Sequence, residues 1–264
     1  MTDPKIVWMG CNGEGSDYED SAVNWKIYIY NISTSEETQL FPNESLKMLP
    51  AISGDKIVWK DPRNGGSGNY WNLAGNWNIY VNLSTRSESS QMFPAIYEDR
   101  IVWMDDRNGG SGNYWNLTGN WDIYMYDLST HKETQITTDE SMQMRPAIYG
   151  DNIVWMDSRN GNWKIYGYNL TTSKEIQINT IRPFQYSHPS IYGNKIVWMG
   201  DRNRNLEIYM YDLSTSKETQ ITTNSSNSQN PECPAIYGNR IVWEDERNGN
   251  KDIYMYTVSG EDTG

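Results

Sequence analysis

The chain has 264 residues and carries 22 basic against 34 acidic side chains, a formal net charge of −12. An acidic surface repels phosphate backbones, so we expect no nucleic-acid binding. No apolar run approaches the roughly 18 residues of a membrane span, so we expect no membrane insertion. No basic segment followed by an apolar stretch opens the given sequence, as a signal peptide would.

One tripeptide, Ile-Val-Trp, recurs six times along the chain. Its copies begin at Ile6, Ile57, Ile101, Ile153, Ile196 and Ile241. An Ile-Tyr pair follows each copy, at residues 27, 79, 123, 165, 208 and 253. A period of about 40–45 residues is typical of propeller blades rather than of the shorter coils of a solenoid. The sequence therefore predicts six copies of one structural unit.

Each complete unit is predicted to contain four strands, here named a to d. Strand a is Ala-Ile-Tyr and ends at a Gly-Asp or Gly-Asn turn, and strand b is Ile-Val-Trp and ends at Asp-x-Arg-Asn-Gly. Strand c is Ile-Tyr-x-Tyr, and strand d is the alternating run Lys-Glu-Thr-Gln-Ile-Thr. Strands b and c are apolar at successive positions, so both of their faces must be covered.

This pattern predicts an all-β fold, a six-bladed β-propeller of four-stranded antiparallel blades, as a single domain over residues 1–264. An open solenoid and two stacked sandwiches are the alternatives. The first copy begins directly on strand b at Lys5, the second lacks most of strand d, and only a short tail follows Tyr256 in the last. We therefore expect the first, second and last blades to be incomplete, with edges that cover each other or that a partner or further repeats cover.

Copies one to three carry extra residues between strands b and c. In copies two and three these residues contain the same Gly-Asn-Tyr-Trp-Asn-Leu sequence. Because the b–c and d–a connections emerge at the same end of a blade, we expect the inserted aromatic side chains to lie together. We predict a stacking platform for a sugar ring or for a partner's apolar surface. The inserted aromatic residues are Tyr18, Trp25, Tyr70, Trp71, Tyr114 and Trp115, and we assign ligand binding to Tyr70, Trp71, Tyr114 and Trp115. The alternative is that these rings fold back and cap the blades.

The residue before the strand-a proline varies while its neighbours repeat. It is in turn Leu49, Phe93, Arg145, His188 and Cys233. This position is expected near the mouth of the central channel, at the same end as the insertions. Arg145 and His188 are therefore further candidate ligand-binding residues, and neutral drift on an exposed loop is the alternative.

The Asp-x-Arg-Asn-Gly turn favours a structural interpretation, in which Asn-Gly forms a β-turn and a neighbouring Asp holds the Arg. A cation site is the alternative, because Asp245, Asn248, Asn250 and Asp252 are close together and rich in oxygen. The turn lacks the alternating acidic spacing of an EF-hand loop, so we expect no metal and no cofactor. With two histidines and neither a Gly-x-Ser-x-Gly nor a HExxH motif, we expect no catalytic residue.

The phrase Ile-Val-Trp-Met-Asp-Asp-Arg-Asn-Gly, followed by Asp-Ile-Tyr-Met-Tyr-Asp-Leu, resembles the TolB-type β-propeller repeat over nearly the whole chain. The Pro-Ala-Ile-Tyr-Gly and Thr-Gln-Ile-Thr segments are similar to repeats of cell-surface proteins of methanogenic archaea. The resemblance implies protein or glycan contacts at the propeller face that carries the b–c and d–a loops, and no shared active site. We predict a non-catalytic, extracytoplasmic or surface-exposed propeller that binds another macromolecule; a lectin-like glycan-binding module and a polysaccharide-acting enzyme are the alternatives.

The two cysteines offer one further hypothesis. Cys11 follows strand b of the first copy and Cys233 precedes strand a of the last. In a closed propeller these blades are neighbours, so a disulfide would join the two ends of the ring and would require an oxidising compartment. Two unpaired thiols are the alternative.

Overall fold

The computed structural model describes residues 4–11, 25–41, 47–61, 67–68, 73–74, 78–80, 89–112, 117–179, 181–184, 187–202, 205–223, 234–246 and 249–258. Two compact units make up the chain, Met1–Arg145 and Pro146–Gly264. The first three copies of the repeat belong to the first unit. The boundary falls within strand a of the fourth copy, and the prediction of a single domain stays a prediction.

The first unit contains three blades and a small hairpin. The first blade consists of β1 (Lys5–Cys11), β2 (Trp25–Asn31) and β3 (Glu36–Leu40). The second consists of β4 (Met48–Ser53), β5 (Lys56–Asp61) and β8 (Asn78–Tyr80), with the hairpin β6 (Ser67–Gly68) and β7 (Leu73–Ala74) between β5 and β8. The third consists of β9 (Gln91–Tyr97), β10 (Arg100–Asp105), β11 (Asp122–Asp127) and β12 (Lys132–Gln135).

The second unit contains the other three blades. The fourth blade consists of β13 (Gln143–Tyr149), β14 (Asn152–Asp157), β15 (Lys164–Asn169) and β16 (Lys174–Gln177), with a 3₁₀ turn at Arg159–Gly161. The fifth consists of β17 (Ser190–Tyr192), β18 (Lys195–Arg202), β19 (Asn205–Asp212) and β20 (Lys217–Gln220). The sixth consists of β21 (Ala235–Tyr237), β22 (Arg240–Asp245) and β23 (Asp252–Thr257).

The sheet order confirms the predicted blades. Blades three to five pair their strands in the order a-b-c-d, and every blade is antiparallel. Within the described ranges, blades one, two and six have three strands each. The predictions of an all-β fold and of incomplete first, second and last blades are therefore confirmed. Cys11 ends β1, whereas Cys233 lies outside the described residues, so the disulfide stays a prediction.

The aromatic residues of strands b and c build the core of each blade. The Trp of strand b stacks on the Tyr of strand c, with ring centroids 6.2 Å apart for Trp103 and Tyr124 and 6.4 Å apart for Trp155 and Tyr166. In the first unit, Val58 of blade two packs in one buried cluster with Trp103 of blade three. A neighbouring blade therefore covers the second face of strands b and c, as their unbroken apolar run predicts.

The Asp-x-Arg-Asn-Gly turn is a structural clamp in blade three. The Arg107 guanidinium donates to Asp105 and to Glu133 of β12, both at 2.6 Å, and lies 4.0 Å from the centre of the Tyr124 ring. Burial opposes the charge, but the bonds to both carboxylates outweigh it and raise the pKa of Arg107.

Blade four repeats this clamp. Arg159 donates to Asp157 and Glu175 at 2.6 Å and lies 4.0 Å from the centre of the Tyr166 ring. The structural interpretation of the turn therefore holds in these two blades. Asn248, part of the alternative cation site, lies outside the described residues.

No helix among the described residues is long and apolar enough to cross a membrane. In the same part of the chain, no three His, Cys, Asp or Glu side chains come together as metal ligands.

Candidate functional site: twin hairpins at one end of the blades

The insertions of blades two and three begin with the same hairpin neck. In blade two, β6 pairs with β7 through Ser67 opposite Ala74. In blade three, the equivalent residues Ser111 and Thr118 form an antiparallel bridge. The segment between the neck strands, which we call the tip, has the sequence Asn-Tyr-Trp-Asn in both blades, at residues 69–72 and 113–116. The repeated pairing gives the two insertions one common design.

The neck in blade three is held by backbone and side-chain bonds. The Ser111 and Thr118 amides donate to each other's carbonyls at 2.8 and 2.9 Å, and their hydroxyls lie 2.9 Å apart. The buried Trp121 indole donates to the same two carbonyls at 3.2 and 3.1 Å. Because this ring fixes both strands at once, Trp121 acts as the anchor of the neck.

The base of this insertion is also rigid. Its first and last strand residues, Asp105 and Asp122, are buried and lie opposite each other in the β10–β11 register. The Asn108 amide between them donates to Asp122 at 2.8 Å and to the Tyr124 hydroxyl at 3.0 Å. The neck therefore projects from a fixed polar base rather than from a loose loop.

In blade two, Asp61 and Asn78 occupy the two equivalent positions and are likewise buried. The Lys47 ammonium lies 3.2 Å from the Asp61 carboxylate, and neither side chain is exposed to solvent. Polar residues therefore anchor both insertions from below, and this burial is not evident from their sequence.

The backbone at Gly119, next to the neck, leaves no room for a side chain. Its φ is +76°, and a Cβ there would overlap the Gly109 carbonyl oxygen. Gly119→Ala should therefore cost at least about 2–3 kcal/mol of local stability, since backbone strain and overlap combine. We expect the Ser111 and Thr118 amides to exchange hydrogen at least about 30-fold faster.

Gly150→Ala is the matched control for this prediction. Gly150 has a φ of +58° but nothing within 4 Å of a Cβ, so only the backbone strain remains, about 1 kcal/mol. Equal destabilisation by the two substitutions would show that Gly119 does not shape the neck.

The predicted platform residues Tyr70, Trp71, Tyr114 and Trp115 lie outside the described residues, so the platform stays a prediction. Two other aromatic residues of the insertions do fold back. Trp121 is the anchor described above. Trp25, which we expected among the exposed aromatic residues of the insertions, is instead buried at the start of β2. Tyr18 lies outside the described residues.

The variable position before the strand-a proline is an irregular point in the sheet. Leu49, Phe93 and Arg145 there adopt left-handed φ angles of +52°, +51° and +56°, and the strand-a register shifts beside Leu49 and Phe93. Arg145 is 2% exposed and its guanidinium lies 5.4 Å from the centre of the Phe93 ring. His188 is half-buried. The ligand-binding roles of Arg145 and His188 stay predictions.

The sequence did not point to a role for the polar residue two positions after β12, β16 and β20. Thr137, Asn179 and Thr222 each accept, through a side-chain oxygen, the first isoleucine amide of strand c, at 2.8, 2.6 and 2.9 Å. In blade two, Gln91 from the next blade accepts the equivalent Ile79 amide at 2.9 Å. The available signal was the recurrent Gln-Ile-Thr or Gln-Ile-Asn ending of strand d. In blades two to five, these bonds fix the start of strand c, where the connection from strand b enters the sheet.

No protein-family model and no curated protein sequence matches the chain. Similar solved structures include TolB from Acinetobacter baumannii, with 16% identity, a TM-score of 0.57 and coverage of 89% of this chain and 58% of TolB. The acylaminoacyl peptidase of Pyrococcus horikoshii has 13% identity, a TM-score of 0.60 and coverage of 97% of this chain and 43% of that chain.

A chain of the nidogen/laminin complex has 9% identity, a TM-score of 0.54 and coverage of 97% of this chain and 90% of that chain. The chain thus spans well under two thirds of TolB and of the peptidase. At these identities the similarity concerns the fold alone. The chain has a propeller-like all-β fold with blades like those of TolB.

Proposed function

We propose that this chain is a non-catalytic propeller that binds another protein through the tips of its twin hairpins. The observation that supports this proposal is the repeated neck, Ser67 opposite Ala74 and Ser111 opposite Thr118, which holds the same Asn-Tyr-Trp-Asn tip on two successive blades. Tyr and Trp are enriched among the residues that dominate binding energy at protein interfaces.

The comparisons support a protein partner in a general way. Nidogen and laminin form a complex of two proteins, and the fold of one chain of that complex is similar to that of almost the whole of this chain. The peptidase is an enzyme by name, so polysaccharide or peptide hydrolysis stays the competing class of function. We place the protein outside the cytoplasm or at the cell surface, in agreement with the resemblance of its repeats to archaeal surface proteins.

A lectin-like role is the second candidate. A tip that combines Tyr and Trp with two Asn residues has both a stacking surface and hydrogen-bonding groups for a sugar. Asn116 also heads an N-x-S/T sequon, and a glycan attached there would obstruct the tip in blade three.

The test compares a tip variant with the wild type. The variant replaces Tyr70, Trp71, Tyr114 and Trp115 by serine. Peptides selected from a random phage-displayed library serve as probes of a protein surface, and a glycan array serves as the second probe. We expect selected peptides to bind the variant at least about 30-fold more weakly, the loss of about 2 kcal/mol typical of one dominant interface residue.

The control is Tyr237→Ser, at the opposite end of a blade, where the side chain is 78% exposed. Tyr237→Ser should leave the peptide affinity unchanged. The midpoint temperature of thermal unfolding should be the same for both variants and the wild type. Unchanged peptide binding by the tip variant would contradict the proposal. Binding seen only on the glycan array, and lost in the tip variant, would favour the lectin.

A further inference from the structure

A cavity of about 350 Å³ opens between blades four and five of the second unit. It lies beside the a–b and c–d turns of these two blades. Cavities of about 300–1,000 Å³ are the usual size of small-molecule sites. The cavity is therefore large enough for a small ligand, and its origin can be traced to departures from the repeat.

The floor of the cavity is a row of three residues that face each other across strands b, c and d of blade four: Val154, Gly167 and Ile176. The equivalent row is Val102, Met125 and Thr134 in blade three and Val197, Met210 and Thr219 in blade five. Glycine thus replaces a buried methionine and opens the floor. Isoleucine replaces threonine and gives the cavity an apolar wall that is 44% exposed.

The rim is the next row on the same face: Asn152, Asn169 and Lys174. The equivalent rows are Arg100, Asp127 and Lys132 in blade three and Lys195, Asp212 and Lys217 in blade five. In those blades a carboxylate stands between two cations, and in blade five Lys195 lies 3.8 Å from Asp212. In blade four, asparagine replaces that carboxylate, so the row keeps the positive charge of Lys174 and has no negative charge.

The asparagine amides cannot take over the role of the missing carboxylate. Asn169 donates to Asn152 at 2.9 Å and accepts the Thr172 amide at 2.9 Å, so its orientation is fixed. Lys174 is exposed and forms no ion pair with any described residue. No acidic residue lines the cavity, although the chain as a whole has a net charge of −12. The rim therefore has one uncompensated positive charge.

We propose that this cavity binds a small carboxylate with a compact apolar body. The ligand carboxylate pairs with the Lys174 ammonium at the rim, where no acidic side chain lines the cavity. The apolar body fills the space above Gly167 and contacts Ile176. Free branched-chain acids and the C-terminal leucine of a short peptide both have this chemistry. Comparing a free acid with a peptide as probes distinguishes the two.

The first experiment is isothermal titration calorimetry of the full chain, produced in a host without N-glycosylation so that the Asn169 sequon stays unmodified. The probes are 4-methylpentanoate, its neutral amide 4-methylpentanamide, and the tripeptide Gly-Gly-Leu with a free carboxylate. We expect the free acid to bind at least about tenfold more tightly than the amide. Tighter binding of the tripeptide than of the acid would assign the site to peptide C-termini.

Two variants introduce residues that occupy the equivalent positions in blades three and five, and both should weaken ligand binding. Asn169→Asp restores the aspartate of blades three and five, where Asp127 accepts the Ser129 and Thr130 amides as Asn169 accepts Thr172. The fold should therefore be kept while the rim gains a negative charge that repels a carboxylate, so acid binding should fall at least about tenfold.

Gly167→Met restores the methionine of the other blades and should abolish measurable binding. Its Cβ would lie 3.2 Å from the mobile end of Ile178, which a small side-chain shift relieves. Lys132→Gln, the equivalent lysine of blade three, is the control and should leave binding unchanged.

Three results would overturn the proposal. The first is no heat of binding for the acid or the tripeptide at about 10 mM, far above the affinity of a formed site. The second is equal binding of the acid and the amide. The third is full binding by the Asn169→Asp variant.

Discussion

Trp155→Ala is expected to lower the free energy of unfolding of the second unit by about 3–5 kcal/mol, the usual cost of removing a large buried aromatic side chain. The Trp155 ring has no exposure to solvent, stacks on Tyr166, and donates its indole N–H to Asp157 at 3.0 Å. Its removal leaves a cavity and takes a donor from a buried carboxylate. Urea unfolding followed by circular dichroism measures the change.

Trp8→Ala is the matched control in blade one. Trp8 has the same place in the repeat and stacks on Tyr28 with ring centroids 5.7 Å apart, but it is only half-buried. The Trp8 side chain buries less apolar surface on folding than Trp155 does, so we expect its removal to lower the free energy of unfolding by only about 1–2 kcal/mol. A loss at Trp8 as large as that at Trp155 would show that burial between blades is not what makes the repeated tryptophan stabilising.

Asp105→Asn is expected to destabilise the first unit by about 3–5 kcal/mol at pH 7, the range seen when one partner of a buried ion pair is removed. Asp105 is buried and accepts bonds from the Arg107 guanidinium at 2.6 Å and the Trp103 indole at 3.0 Å. The NH₂ group of an asparagine would face either the Arg107 guanidinium or the Trp103 indole, and that group would lose its hydrogen-bond acceptor. Arg107 would then be left with Glu133 as its carboxylate partner.

The pH dependence of this effect has a definite sign. Burial would raise the pKa of Asp105, but the bonds from Arg107, Trp103 and Ser89 outweigh burial and place it below the ordinary value. The stability from this carboxylate is therefore complete above the unfolded-state pKa of about 4 and is lost as the pH falls through the folded-state value. The difference in the free energy of unfolding between the wild type and Asp105→Asn should therefore decrease below about pH 4, as measured by urea unfolding.

Asp106→Asn is the control, because the neighbouring carboxylate has the opposite shift. Burial is the largest influence on Asp106 and raises its pKa, so the ionised Asp106 carboxylate does not stabilise the folded state as that of Asp105 does. An asparagine oxygen can still accept the Ser90 amide, which donates to Asp106 at 2.7 Å. We expect a change within about 1 kcal/mol at pH 7. A loss as large as that of Asp105→Asn would contradict this assignment.

The sequence was sufficient for the blades because the signal is repeated and local. Ile-Val-Trp and Ile-Tyr recur with turn dipeptides between them, and strands b and c pair within one unit of the repeat. The clamp around Arg107 could also be anticipated in part, since Asp105 lies only two residues away. Its second partner, Glu133, comes from strand d and required the register of the sheet.

The candidate sites were predicted less completely. The sequence placed the inserted aromatic residues at one end of the blades, but the hairpin neck depends on Trp121, whose indole bonds to carbonyls on both sides of the tip. The cavity was not predicted at all. Gly167 and Asn169 look like ordinary variation within the repeat until the strand register aligns them with Ile176 and Lys174.

By itself, the sequence determined the strands, their order within a blade and the incomplete blades, because those depend on contacts between near neighbours in the chain. Only the tertiary structure decided which polar residues are buried. Lys60 stands where three other copies have a buried methionine, and it is fully buried in the first unit. Burial lowers its pKa well below the ordinary value, against an opposing attraction to Asp106. Such contacts join different blades, and no local pattern in the chain specifies them.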